Sequence, residues 1–569
     1  MIRRSEKHRD RAAVFEVHLF NASKKLARVL KNVSLTKRAL MLMSKNDIPG
    51  VRRVLERALA AGASGGVVLS KIQDALSGLH KARRWDEEKK DLALLVLRLG
   101  GPALLHVLHQ TSGLPGLTYT RKLGRKSIAR SLGVNLNAAM KLLVAERGER
   151  RLFRIGVDEI AVNEAAAWDQ RTIMILGVCG QCTQDGKTKL AFDALDDVDN
   201  LVEQMNGDKI HLSKEVTVIT VAAFGHSTFR AVPIFALGSC KRANEEQQAL
   251  IFAKVKFRSG LSNLETLVGP LGSVHSDGDA GRRRAFLEVA RGFTFSSIPH
   301  LHVLEECALM DQECTLDGIV HCFDWKHLIK RLRERAKSDK GVRVGDGAAI
   351  AGPALRRLAE VLFPGRSVES LLNPKDRQNV PLAVKLLKLI LEMGDTALAS
   401  TTAVGDNTFL SAVRRDVQLL GAVCKPLLDV LFDSNKTVSD LLQDLSCLAH
   451  VLLYLYRRNK TAFIPGQLYH DLQATVRCAF VTVAQAIHFC PELNVYLFQL
   501  GTDNVEQLFS IIRTITHSRT CDTKEFGQRA SHACQLVDVW ARNDGWKQPS
   551  DRLSASAGTE DHNTPAQWD

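Results

Sequence analysis

Residues Leu152–Val162 read LFRIGVDEIAV, a short apolar, β-branched run with an aspartate, Asp158, set inside it. Runs of this kind, bounded by polar turns, are the signature of strands. A carboxylate inside one is costly unless it is paired or binds a cation. Three more runs follow: Thr172–Cys182 (TIMILGVCGQC), Val216–Phe224 (VTVITVAAF) and Ala231–Leu237 (AVPIFAL). Asn244–Lys256 reads as a helix, and Leu271–His275 as a further strand running into SDGDAG. Residues 151–330 are therefore expected to form an α/β domain with its strands clustered first.

On either side the texture is helical. Within 1–110, Leu, Val and Ala recur at three- and four-residue spacing through Arg52–Leu59 and Asp91–Leu99, with breaks at Gly62–Gly66 and Gly100–Pro102. From 331 to 490 the strands give way to amphipathic helices: Pro353–Leu362, Pro381–Met393, Phe409–Phe432, Val438–Tyr456 and Gln467–His488, punctuated by Pro364, Pro374 and Pro465. Residues 491–549 resume with a helix over Asn504–Ile515, and the polar tail 550–569 is expected to be disordered.

The charge is uneven. The whole chain of 569 residues carries +15, but residues 1–150 hold 30 Lys and Arg against 12 Asp and Glu, a net of +18, which leaves −3 for the rest. A basic first quarter of this kind points to a polyanion, most often nucleic acid. Within it, Thr120–Gly148 outlines a helix, a Gly-containing turn and a second helix. That outline suits either a helix-turn-helix with Arg121, Lys122, Arg125, Lys126 and Arg130 on DNA phosphates, or a plain helical connector.

Composition excludes several classes. Hydrophobic residues at 45% and charged residues at 24% are ordinary for a globular chain, and rule out a coiled-coil rod, a fibre or wholesale disorder. The charged start MIRRSEKHRD does not read as a secretory signal, and the longest apolar stretch, Leu92–Leu108, is interrupted by Arg98, Gly100, Gly101 and Pro102. No membrane association is expected. Twelve cysteines, none before Cys179, suit a reducing compartment. Cys179-x-x-Cys182 lacks a second pair at zinc spacing, and Cys307, Cys314 and Cys322 read as buried thiols.

Three acids stand out by placement. Asp158 lies within an apolar strand, Asp277 follows another in GSVHSDGDAG, and Glu506 sits beside the apolar stripe of a helix in TDNVEQLFSIIR. Two strand-borne aspartates and a helix-borne glutamate are what a two-metal phosphoryl-transfer site requires. Each also has a plainer reading: a core Arg partner for Asp158, a turn for Asp277, a solvated helix face for Glu506. The basic run Lys326–Lys340 offers Lys330, Arg331 and Arg333 either as a DNA backbone track or as a solvated face. His327 could orient Asp324 or a phosphate, or serve structure alone.

Five segments in order resemble the nuclease domain of P-element and THAP-type transposases. IGVDEIAVNEAAAWDQRTIMILGVCG resembles its first two strands, through Asp158-Glu159, Trp168-Asp169 and Leu176-Gly177; AAFGHSTFRAVPIFAL, HSDGDAGRRRAF, CFDWKHLIKRLRERAKSDKG and GTDNVEQLFSIIR resemble the segments that follow. The resemblance implies an α/β RNase H-like core, a mixed sheet with flanking helices, carrying a large all-α insertion at 331–490 and preceded by the basic helical region 1–150. Carried over by position, Asp158, Asp277 and Glu506 would be the Asp-Asp-Glu ligands of two Mg²⁺ or Mn²⁺ ions, with Asp324 and His327 in support. The implied activity is phosphodiester hydrolysis and joining of 3′-ends to target DNA. The alternative is a catalytically inactive, domesticated DNA-binding descendant. Double-stranded DNA, a homo-oligomer and a nuclear location are implied with it. The family's N-terminal zinc finger has no counterpart, since its cysteines are missing. GTP is not carried over, because no GxxxxGK[ST] loop is present.

Overall fold

A computed structural model describes residues 2–45, 62–64, 66–70, 85–124, 151–170, 173–180, 182, 195–225, 231–242, 270–290, 292–307, 309–347, 349–373, 379–395, 407–516, 518–543 and 545–546. The chain divides into two compact units, Met1–Lys126 and Ser127–Asp569.

The first unit is helical where described: α1 (Ile2–Lys45), α2 (Glu87–Leu99), α3 (Gly101–Thr111) and α4 (Leu117–Gly124). Asp86 caps α2 by accepting the Lys89 N–H, and Glu87 and Glu88 complement the positive end of its dipole. Gly100 ends α2 and Gly101, at φ +78°, opens α3, which is the break expected from the sequence. A small core of Ala93, Val96, Leu97, Leu105 and Leu114 holds the hairpin. Arg121 and Lys122 are exposed on α4. Arg125, Lys126, Arg130 and most of the expected helix-turn-helix lie outside the described residues, as do Arg52–Leu59, Asn244–Lys256 and the tail.

The second unit is built on a five-stranded mixed sheet. Its strands are β1 (Phe153–Ala161), β4 (Glu215–Ala223), β5 (Val232–Ser239), β6 (Leu271–Ser276) and β7 (Val320–Phe323), in the order β5-β4-β1-β6-β7. β1 runs antiparallel to β4 and β4 to β5, whereas β1, β6 and β7 are parallel. A separate hairpin joins β2 (Ala167–Asp169) to β3 (Met174–Leu176), and α5 (Leu195–Asn206) follows it. The strand expected over Thr172–Cys182 is thus reduced to three residues, with Val178 adding an isolated bridge to Leu212. β7 and α5 are absent from the sequence reading.

Helices flank the sheet. α6 (Ala280–Ala290) follows β6 and α7 (Trp325–Lys337) follows β7. Next come α8 (Gly352–Leu362), α9 (Val380–Gly394), α10 (Thr408–Phe432), α11 (Val438–Asn459) and α12 (Gly466–Phe489), close to the ranges read from periodicity. These share one apolar core with β7 and with Leu152 and Phe224. α11 is long and apolar enough to cross a membrane. It also starts at a Thr437–Asp440 capping box and buries a stripe of Leu441, Leu445, Leu448, Leu452 and Leu455 in that core. Finally α13 (Asp503–Thr514) and α14 (Thr523–Arg542) return to a second core, formed with β1, β4, β5 and β6.

Candidate functional site

Strand register decides where the acids meet. β1 and β6 pair in parallel with Ile155 opposite Val274 and Gly156 opposite His275. Two residues beyond that pair on each segment come Asp158 and Asp277, near enough that the Asp277 charge acts on the Asp158 carboxyl. The 119-residue gap between them in the chain is therefore the register offset of two central strands. Asp277 comes one residue after β6 ends, and Gly278, at φ +92°, turns the chain into α6.

The third acid arrives on α13. That helix crosses β1 at Gly156, where an added Cβ would lie 2.7 Å from Val505 Cγ2 and 2.9 Å from Thr220 Oγ1. Side chains alternate along a strand, so Gly156 and Asp158 share a face. The glycine lets α13 come close, and Glu506, next to Val505, reaches the same neighbourhood. Asp503 and Glu506 occupy the first turn of α13, where the helix dipole favours carboxylates.

Asp324 fixes both helices. Its Oδ1 caps α7 by accepting the N–H groups of Lys326 (2.8 Å) and His327 (3.2 Å), while its Oδ2 accepts the Thr502 N–H at the start of α13 (2.8 Å). Gly501, at φ +133°, passes so near that a Cβ would meet Asp324 Oδ2 at 2.5 Å. Its N–H donates to His275 Nδ1 (2.7 Å), and the ring's other nitrogen lies 2.6 Å from Ser273 Oγ. Lys326 pairs with Asp503, a second tie between α7 and α13. Burial works against the Lys326 charge, but Asp503, Glu506 and Asp324 hold it above its ordinary value.

Electrostatics bind the acids into one group. Burial pushes the Asp158 carboxyl up to about 7, and the charges of Asp277 and Glu506 add to the shift against the opposing pull of Arg282 and His327. Asp277 is raised too, by burial first and by Asp279 in addition. His327 lies between two acids, Nδ1 3.4 Å from Asp324 and Nε2 3.7 Å from Glu506. Burial opposes its charge, yet Asp324 and Glu506 hold its pKa above 6.5. Asp324 itself is held well below the usual carboxylate range: burial alone would raise it, but hydrogen bonding to His327 and the cations around it prevail.

Arg282, which the sequence reading passed over, is the other cation. It is buried, donates to the Val157 carbonyl (3.0 Å) and to Asp277 Oδ1 (3.1 Å), and pairs with Glu159. The oxygens of Asp158, Asp277 and Glu506 do not all come within 4.8 Å of one another. Asp277 and Glu506 are each about one-third exposed (35% and 36%). The arrangement is an open set of hard oxygen donors whose mutual repulsion a divalent cation would relieve, so these residues fit Mg²⁺ or Mn²⁺.

Part of the basic run on α7 is engaged within the fold. Arg333 is only 1% exposed and donates to the Leu371 and Ser370 carbonyls, so it cannot reach a phosphate. Arg331 pairs with buried Asp471, which also takes Arg283, and Arg335 donates to the Thr461, Ala462 and Phe463 carbonyls. Lys330 is half-buried. Arg331, Arg333 and Arg335 fasten α7 to its neighbours, because a guanidinium taken from water must satisfy its donors.

No family model and no curated protein matches this chain. Its structure is similar to a chain of the Drosophila P element transposase strand transfer complex, with a TM-score of 0.55 over 84% of this chain and 96% of that one. Sequence identity is 14%, so the likeness is one of fold: a mixed sheet flanked by many helices, as in a transposase.

Proposed function

We propose that this protein is a DNA strand transferase of the Asp-Asp-Glu type on an RNase H-like core, allied to the P-element and THAP-type transposases. Asp158, Asp277 and Glu506 would hold two divalent cations, Mg²⁺ or Mn²⁺. The observation that supports this most directly is the parallel pairing of β1 with β6 up to Gly156 and His275, which leads to Asp158 and Asp277 two residues on, with Glu506 on the helix crossing at Gly156. The sheet, in which β5, β1, β6 and β7 run one way and only β4 runs against them, agrees with it. So does the likeness to a chain whose own description is a transposase strand transfer complex.

In this reading the chain's residues have separate tasks. Asp158 and Asp277 present carboxylates at the end of the central strands, and Glu506 closes the set from α13. His327 orients Glu506, and Asp324 locks the helix starts that carry both. Arg282 holds the Asp277 carboxylate from the protein side through its 3.1 Å contact. When bound, the cations supply the charge stabilisation that phosphodiester hydrolysis and transfer to a 3′-hydroxyl require. The DNA would run over the exposed Arg121 and Lys122 and the basic residues around them, with an affinity that falls as salt rises. A homo-oligomer acting in the nucleus belongs to the same proposal.

The test is divalent-metal-dependent nicking and strand joining by the full chain on double-stranded DNA. Loss of both activities in Asp158→Ala, with salt-dependent DNA binding retained, supports the proposal. Unchanged cleavage by Asp158→Ala sinks it. DNA binding without cleavage by the unaltered chain would favour the inactive, domesticated descendant.

A further inference from the structure

The Cys179-x-x-Cys182 pair gains a third thiol in the fold. Cys240, directly after β5, brings its sulfur to both, so that the three Sγ atoms all lie within 4.8 Å of one another. Cys182 Sγ and Cys240 Sγ are 3.8 Å apart. A tetrahedral ion with Zn–S bonds of about 2.3 Å sets its sulfurs about 3.8 Å apart, well beyond the ~2.05 Å of a disulfide. The Cys240 N–H donates to Cys179 Sγ at 3.3 Å, an outer bond of the kind that orients a thiolate ligand.

The backbone around the thiols is built for close approach. The Cys179 N–H donates to the His211 carbonyl (2.8 Å) and the Gly180 N–H to that of Gly238 (2.9 Å). A Cβ on Gly180 would fall 2.2 Å from Leu237 Cδ1, and one on Gly238 2.1 Å from Ser213 Oγ. Only glycines allow the segment after β3 to lie this tightly on the end of β5. The buried apolar support is slight: Val178, Ile210 and, from α5, Leu201. A region with so small a core gains most from a metal staple.

We propose that Cys179, Cys182 and Cys240 form a structural site for a thiophilic divalent cation, Zn²⁺, pinning the β2–β3 hairpin and its following loop to β5. Among the described residues no fourth His, Cys, Asp or Glu joins the three thiolates. His211 is turned to other partners: its Nδ1 faces Asp208 at 3.4 Å and its Nε2 lies 3.1 Å from Arg242 Nη1. The register Ala161–Glu215–Ser239 across β1, β4 and β5 sets this site toward the same end of the sheet as Asp158, two strands away. A second group within the same distance, His275, Cys322 and Cys478, is different in kind. Both ring nitrogens of His275 are engaged, one by the Gly501 N–H and one by Ser273, so that imidazole has no lone pair to give a metal.

Elemental analysis of the full chain, purified with a thiol reductant, should give one zinc per chain. Cys182→Ser, a half-buried position, should lose it while keeping its far-ultraviolet circular dichroism, and Asp158→Ala should keep it. Cobalt replacement should give a thiolate-to-cobalt charge-transfer band that Cys182→Ser abolishes. Cys240→Ser should lose the metal as well, but this position is buried, so Cys182→Ser is the deciding variant. Zinc retained in Cys182→Ser overturns the proposal. So does an unaltered chain that takes up neither zinc nor cobalt, or that shows only a Cys182–Cys240 disulfide on oxidation.

Discussion

Asp277 and Asp471 each meet an arginine from the same turn of α6, and the two meetings have opposite characters. Asp277 takes Arg282 at 3.1 Å but stays 35% exposed, and burial first, then neighbouring carboxylates, push its pKa and that of Asp158 upward. Asp471 is 0% exposed and is enclosed by Arg283 (2.7 Å) and Arg331, with Thr475 Oγ1 bonded to its own carbonyl. One acid belongs to a group with unbalanced negative charge facing solvent. The other is the centre of a closed, satisfied network. Charge left uncompensated at an opening is available for chemistry, and charge sealed between partners holds the fold.

The contrast breaks if the two kinds of acid respond alike to removal. Asp158→Ala, Asp277→Ala and Glu506→Ala should each lower metal-dependent cleavage by at least about 10³-fold, the scale for deleting a group that stabilises developing charge. Their urea midpoints should hardly change, because Asp158 faces like charges, while Arg282 and His327 keep Glu159 and Asp324 as partners when Asp277 or Glu506 is removed. Asp471→Ala should do the reverse. It strands Arg283 and Arg331 without their carboxylate and should cost about 3–5 kcal/mol of stability, read from denaturant unfolding. A stability loss of that size in Asp158→Ala would erase the distinction.

A smaller change probes how the two strands and the helix are brought together. In Gly156→Ala the new methyl would press on Val505 Cγ2 and Thr220 Oγ1, at 2.7 and 2.9 Å. Overpacking of this kind costs about 1–3 kcal/mol. It should also lift α13 off β1 and carry Glu506 away from Asp158. Because misplacement by about 1 Å can cost around 10²-fold in rate, cleavage should fall further than stability. Equal losses would mean that Gly156 serves packing alone.

How much of this could be read from the chain follows from the range of each interaction. The runs at 153–161, 215–223, 232–239 and 271–276 are apolar and β-branched, and local pattern suffices for them. β7 is four residues long and carries His321 and Cys322, so its pattern is too short and mixed to stand out; its pairing with β6 makes it a strand. The acids were legible as candidates, but their meeting rests on a register offset and a helix crossing that involve residues hundreds apart. Arg282, Arg283 and Arg284 show the limit most plainly. Successive residues on a helix point about 100° apart, so one faces Asp277, one faces Asp471, 188 residues away, and one is exposed. Nothing local tells them apart. The same holds for Arg333, whose carbonyl partners lie beyond the helix it sits on.

The smallest expected effect sets two histidines of one segment against each other. His321 is buried on β7, its Nε2 2.9 Å from Ser276 Oγ and its ring against Phe286 and Phe323. Burial keeps its pKa well below 6.5, and Arg477, His470, Arg282 and Arg283 add to the depression. His327, six residues on, is held above 6.5 by Asp324 and Glu506. As pH falls below 6.5, the unfolded chain protonates His321 while the folded one does not. The stability that neutral His321 allows is therefore complete above 6.5 and erodes as acid is added. His327 is already charged in both states once the pH is well below 6.5, and adds no slope there. Each proton taken up only by the unfolded chain contributes at most about 1.4 kcal/mol per pH unit. Between pH 6.5 and 5.5 the unfolding free energy of His321→Gln should decline less steeply than that of the unaltered chain, by up to that amount. The buried His275 is depressed in the same way and keeps a residual slope in the variant. Parallel declines in the two proteins would mean that His321 carries no such penalty, and the opposition between the core histidine and the site histidine would fall.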